Sequence, residues 1–206
     1  PCMDDDALRR GRPTTHIAYG EAAAMLAGDV LQTLAFEALT HTYFGETSEF
    51  ATPLSATFAP RARRMVMGQM LDLNGEHQQL SQTELEAIHR DKTGALIEAS
   101  VLMGAICANA TDSERQALNN FAQQIGLAFQ VQDDILDVIA DTEQLGKPAK
   151  KKKKLDKSTY VKLLGVDAAK TYAQSLFDAA KNAVIAEFGD DNYLVDLADW
   201  LWARDK

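Results

Sequence analysis

Cysteine is scarce in this chain: Cys2 and Cys107 are the only two in 206 residues, and they form no C-x-x-C pair. A disulfide framework and a structural zinc site are poor bases for such a fold, and a reducing, cytoplasmic setting is expected. Glycine and proline are also few, at 12 and 5, which leaves little of the turn punctuation that many short strands require. No run approaches the roughly 18 consecutive apolar residues that would span a bilayer. Basic residues are outnumbered, 21 against 30 acidic ones, for a net charge of −9. That balance argues against nonspecific nucleic-acid binding, which needs a positive footprint. An initiating methionine is missing too: the sequence opens at Pro1 with no basic-then-apolar leader, so the chain is expected to start inside a domain.

What the chain does have is apolar residues recurring at three- and four-residue spacing, the helical period. Helices are expected over residues 15–41, 62–73, 83–103, 113–141, 166–187 and 193–203. The first carries Met25, Leu26, Val30, Leu31, Leu34 and Leu39 on one stripe. Pro60 suggests the start of the second. Thr83 with Glu86, and Ser113 with Gln116, have the spacing of N-terminal caps. Residues 146–157, with Pro148 and a lysine run, are expected as an exposed loop. Neither a repeat nor a linker stands out, so residues 1–206 are expected to form one all-α domain.

The segment with the most chemistry is Gln130-Val131-Gln132-Asp133-Asp134-Ile135-Leu136-Asp137, followed by Asp141. On a helix, Asp133, Asp137 and Asp141 share one face at i, i+4 and i+8, with Gln130 a turn before. Ile135, Leu136, Val138 and Ile139 lie away from that face. Like charges at this spacing repel, so the column calls for a cation opposite it. Mg²⁺ fits, because it takes oxygen ligands and bridges one or two carboxylates to phosphates. A solvated acidic face is the alternative reading of this segment alone.

A second acidic cluster opens the chain, Asp4-Asp5-Asp6, just ahead of Arg9 and Arg10. Read alone, it is an acidic helix end followed by a Gly/Pro turn. Beside the interior cluster it suggests carboxylates holding Mg²⁺ on a diphosphate, with arginine forks on the phosphate oxygens.

Met3-Asp4-Asp5-Asp6-Ala7-Leu8-Arg9-Arg10-Gly11-Arg12-Pro13-Thr14 resembles the tail of the first aspartate-rich motif of bacterial farnesyl diphosphate synthases, members of the trans-isoprenyl diphosphate synthase family. The segment Gln130 to Asp137 resembles their second. Gly68-Gln69 with Asp72, Lys92-Thr93-Gly94, Leu145-Gly146-Lys147 and Lys157-Ser158-Thr159-Tyr160 match in the same order.

The resemblance implies a single helical bundle of the isoprenoid synthase type that condenses dimethylallyl or geranyl diphosphate with isopentenyl diphosphate. It implies that Asp4, Asp133, Asp134 and Asp137 serve Mg²⁺, with three ions per site when substrate is bound. Arg9, Lys92, Lys147 and Lys157 would bind the allylic diphosphate, and Arg10 the isopentenyl diphosphate. Thr93 and Gln130 would lie beside the developing carbocation, making Lys92, Thr93, Gln130 and Lys147 the catalytic set. Lysines 150–154 are read as solvated rather than as phosphate ligands. The resemblance also implies a homodimer. In the family's bacterial pattern two further aspartates precede the position of Asp4, along with upstream Gly-Lys and Arg positions. Those residues and the N-terminal helices are expected before Pro1, so the chain as written is expected to be inactive and its parent active.

A geranylgeranyl or geranyl diphosphate synthase would share every motif present. A terpene cyclase would lack the second Asp-rich motif and the Arg9-Arg10 pair. An inactive regulatory subunit would be expected to have lost the metal motif, which is intact here. His16, His41, His77 and His89 have no paired ligand spacing and are expected to be ordinary surface or core residues.

Overall fold

The computed structural model describes residues 1–3, 5–40, 49–143 and 158–204. Asp4, His41, Lys147, lysines 150–154, Lys157 and the expected 146–157 loop lie outside them, as does the side chain of Asp141. The described chain divides into two compact units, Pro1–Ala56 and Thr57–Lys206.

In the first unit, β1 (Leu8–Arg9) pairs antiparallel with β2 (Arg12–Pro13), in the register Arg9 opposite Arg12. Asp5 and Asp6 lie in no helix, contrary to the expected acidic helix end, and the expected Gly/Pro turn is the turn of this hairpin. Arg10 and Gly11, at φ 52° and 74°, make its two-residue turn, and both central positions of a type I′ turn need positive φ. Thr14 ties the hairpin off, its Oγ1 donating to the Asp6 carbonyl at 2.8 Å. The helix expected over 15–41 is two helices, α1 (Thr15–Tyr19) and α2 (Glu21–Thr40). They part at Gly20, whose φ of 87° no helix accommodates. The apolar stripe of α2 faces outward: Met25, Leu26, Val30, Leu31 and Leu34 are all exposed. By length and composition α2 alone among the described residues could cross a membrane, although it carries Asp29 and Glu37, costly inside a bilayer.

Helix α3 (Ala51–Asn74) runs through Pro60 rather than starting after it. Proline there removes a donor to the carbonyl four residues back, which belongs to Ala56, the last residue of the first unit.

The second unit continues with α4 (Gln82–His89), a π-helical turn (Arg90–Gly94), α5 (Ala95–Cys107), α6 (Asp112–Glu143), α7 (Tyr160–Leu164), α8 (Val166–Phe188) and α9 (Tyr193–Ala203). Two caps sit a couple of residues earlier than expected. Ser81, not Thr83, forms a capping box with Glu84, and Thr111, not Ser113, plays that part with Glu114. In each case the glutamate takes the cap residue's own N–H, at 2.8 Å and 2.6 Å. Glu86 instead accepts from the Tyr172 hydroxyl at 2.6 Å.

The core lies between α6 and α8. Phe121, Ile125, Ala128, Val131 and Ile135 of α6 meet Ala169, Ala173, Phe177, Ala180 and Val184 of α8, and all are buried. Alanines at four- and seven-residue spacing on α8 let the two backbones approach, while Phe121 and Phe177 fill the space. This pairing leaves the remaining face of α6, with Gln130, Asp133 and Asp137, for other work.

Candidate active site

Helix α3 shapes the site by pressing one face along residues 90–98. Arg61, Arg64, Gly68 and Asp72 follow each other at intervals of three and four, so they line one side of the helix. The Arg64 guanidinium donates to Asp91 Oδ1 at 2.7 Å, to Glu98 Oε2 at 2.9 Å and to the Arg90 carbonyl at 3.3 Å. Glu98 is buried, with Arg61 Nε 3.5 Å from the same oxygen. A buried carboxylate is tolerable only when paired, and its hydrogen bond to Arg64 is the leading cause that raises the Arg64 guanidinium above its usual range.

One turn on, a Cβ at Gly68 would stand 2.2 Å from the Lys92 nitrogen, so only glycine fits this crossing. One turn further, the Lys92 ammonium donates to Asp72 Oδ2 at 2.7 Å. Gly94 packs on Gly126 of α6, where an added Cβ would sit 3.0 Å from the Gly94 Cα. The π-helical turn carrying Lys92 and Thr93 is thus wedged between α3 and α6, one turn before Gln130. Such turns are frequent at functional sites, and this one is held by a neighbouring helix rather than by its own sequence.

On α6, Gln130 Oε1 lies 2.7 Å from His89 Nδ1. An amide oxygen only accepts, so the imidazole nitrogen donates. His89 is a buried residue, one ordinary in the sequence and consequential in the structure.

Asp133 holds a guanidinium. Arg204, just past α9, donates to Asp133 Oδ1 and to the Phe129 carbonyl at 3.3 Å, and its guanidinium lies 4.0 Å from the Phe129 ring centroid. Gln132 donates to the Trp202 carbonyl at 2.8 Å, fixing the same end of the chain. Burial pushes the Asp133 carboxyl above its usual range, and Asp137 pushes the same way, while Arg204 pulls it down. Asp134 points elsewhere, accepting the Tyr160 backbone N–H at 2.8 Å. Asp137 is exposed.

These donors fit Mg²⁺. Asp133 and Asp137 offer hard oxygens one turn apart, and Asp133 already holds a cationic group. Among the described residues no three His, Cys, Asp or Glu side chains are grouped to hold a metal ion by themselves, and Mg²⁺ commonly completes its shell with water and phosphate oxygens. Arg9 and Arg10, both exposed, belong to the first unit.

Residues 2–187 match the polyprenyl synthetase family. The chain belongs to that family. Among polyprenyl synthetase relatives, the chain is 50% identical to the farnesyl diphosphate synthase of Haemophilus influenzae over 87% of its own length and 62% of the relative's. It is 46% identical to that of Escherichia coli over 100% of its length and 71% of the relative's. A solved geranyltransferase from Helicobacter pylori, complexed with magnesium and isoprenyl diphosphate, superposes with a TM-score of 0.80 at 36% identity, over 98% of this chain and 66% of that one. The chain thus spans about two thirds of the length of these relatives.

Three of the site's contacts have no signal in sequence spacing: Arg64 to the π-helical turn, His89 to Gln130, and Arg204 to Asp133. Each joins residues 26 to 71 positions apart, and no local pattern marks such a pairing.

Proposed function

We propose that the full-length protein is a Mg²⁺-dependent prenyltransferase joining an allylic diphosphate, dimethylallyl or geranyl, to isopentenyl diphosphate, with farnesyl diphosphate and diphosphate as products. The observation that carries this reading is the α6 column Gln130, Asp133 and Asp137 beside a wedged turn bearing Lys92 and Thr93, in a polyprenyl synthetase chain.

In this reading Asp133 and Asp137, with Asp4, hold Mg²⁺, three ions being engaged when substrate is bound. When bound, the metal neutralises charge developing on the departing diphosphate. Lys92, Lys147 and Lys157 bind that diphosphate, as does Arg9, and Arg10 binds the isopentenyl diphosphate. Asp72 fixes the Lys92 ammonium, so little reorganisation is needed as the C–O bond breaks. The Gln130 and Thr93 oxygens face the allylic cation. Gln130 Oε1 has two lone pairs, and His89 engages one. The isopentenyl double bond then attacks the cation, and the proton lost goes to diphosphate.

A homodimer and a cytoplasmic location belong to the same proposal. The outward apolar residues of α2 give a partner copy something to cover, and Cys2 and Cys107 are exposed free thiols suited to a reducing compartment.

Asp133→Ala in the full-length protein tests the site. Loss of one such electrostatic group is expected to lower turnover by roughly 10²–10³-fold and to raise the Mg²⁺ requirement. Unchanged turnover with unchanged Mg²⁺ dependence would overturn the assignment.

A further inference from the structure

The two adjacent aspartates of the interior motif have different partners. Asp133 holds the Arg204 guanidinium, whereas Asp134, ~100° further round the helix, accepts the Tyr160 backbone N–H through Oδ2 at 2.8 Å. Tyr160 is the first residue of α7, and the first amides of a helix have no partner within it. Thr159 Oγ1 serves the Lys162 N–H at 3.2 Å, so the α7 start is capped from two sides. Ser158 is pinned as well, accepting from the Leu80 N–H at 3.1 Å and donating to the Gln78 carbonyl at 3.0 Å.

The anchored residue reaches the reacting region. The Tyr160 ring is fully buried, its centroid 5.6 Å from that of His89 and 5.9 Å from that of Tyr172. His89 in turn holds Gln130 at 2.7 Å. A circuit therefore leaves α6 at Asp134, passes through the Tyr160 backbone and ring and the His89 imidazole, and returns to α6 at Gln130, one turn earlier.

We infer that Asp134 is a positioning residue, not a metal ligand: it seats Tyr160 against His89 and so fixes the Gln130 amide. The inference rests on the prenyltransferase reading for its kinetic consequence, and on hydrogen-bond geometry alone for its structural one. A metal ligand needs its negative charge. A cap acceptor needs only an oxygen, which asparagine keeps.

The test compares Asp134→Asn, Asp134→Ala and Asp133→Asn in the full-length protein. Three readouts are used: exchange of the Tyr160 amide hydrogen, Mg²⁺ affinity by calorimetry with inorganic pyrophosphate, and kcat with KM for geranyl diphosphate. Asp134→Asn is expected to keep Tyr160 protected, with Mg²⁺ affinity and kcat within about threefold of the parent. Asp134→Ala is expected to speed Tyr160 exchange and lower kcat about tenfold while Mg²⁺ affinity holds, because a single lost hydrogen bond is worth about that factor. Asp133→Asn is expected to lose Mg²⁺ affinity at least tenfold. Loss of Mg²⁺ affinity in Asp134→Asn to the extent seen in Asp133→Asn overturns the inference, as does unaltered Tyr160 exchange in Asp134→Ala. If Asp134→Ala does not fold, the asparagine variant still decides between oxygen and charge. A parent protein that fails to elongate prenyl diphosphates would sink the functional reading, while amide exchange would still report on Asp134.

Discussion

His89 Nδ1 lies 2.7 Å from Gln130 Oε1, joining the last residue of α4 to the helix that carries the aspartate column. The bond fixes which way the amide oxygen faces, and, in the proposed reaction, the dipole offered to a developing cation. Replacing His89 with Ala is expected to lower kcat roughly tenfold, the value of one hydrogen bond, with little change in KM for either diphosphate. His89→Asn, which keeps a donor on a short side chain, should recover part of that loss. Steady-state kinetics on both variants check this, and a full kcat in His89→Ala would remove His89 from the site.

Gly68 offers a test of the wedge. An added methyl would meet backbone atoms of Lys92 and Asp91 at 2.2–2.7 Å, and backbone cannot swing aside as a side chain can. Gly68→Ala is expected to cost about 1–3 kcal/mol as overpacking. At Gly104, also helical, nothing lies within 4 Å, so Gly104→Ala should gain roughly 0.5–1 kcal/mol from helix propensity. Urea unfolding of the pair should move in opposite directions.

The Asp72 carboxylate holds the Lys92 ammonium at 2.7 Å, with both side chains largely covered. Asp72→Asn leaves an acceptor of half the strength and lets the lysine wander. KM for geranyl diphosphate is expected to rise about three- to tenfold, in keeping with a charge-assisted bond, with kcat changing less. An unchanged KM would mean that Lys92 is placed by the turn alone.

Acid sensitivity should report the two caps. Hydrogen bonds from Ser81 and Thr111 hold the Glu84 and Glu114 carboxyls below their usual range. A carboxyl lowered on folding adds stability above its unfolded value, and this is lost as pH falls through the folded value. The stability gap between the parent and Glu84→Gln or Glu114→Gln should therefore be open at pH 7 and narrow by pH 3. A gap of equal size at both would show that charge has no part in these caps.

Much of the architecture was legible because the strongest signal, helical periodicity, is local. The last helix, expected over 193–203, is Tyr193–Ala203 in the structure, and Asn192 caps it by accepting from the Leu194 and Val195 amides at 3.1 Å. Asp133 and Asp137 share a face because i, i+4 spacing guarantees it. The α4 cap falls two residues before the expected Thr83: Ser81 caps α4 because Glu84 reaches back to it, while Glu86 is drawn off by Tyr172. The π-helical turn was invisible because its cause lies on another helix, in Arg64 and Gly68. The outward stripe of α2 was invisible for a related reason, since periodicity marks an apolar face without naming what covers it.

The central claim is chain elongation to fifteen carbons. Labelled isopentenyl diphosphate, incubated with geranyl diphosphate, Mg²⁺ and the full-length protein, should appear in farnesyl diphosphate as the main product, and the product should vanish with EDTA. A main product of twenty carbons, or label left entirely in isopentenyl diphosphate, would contradict the account.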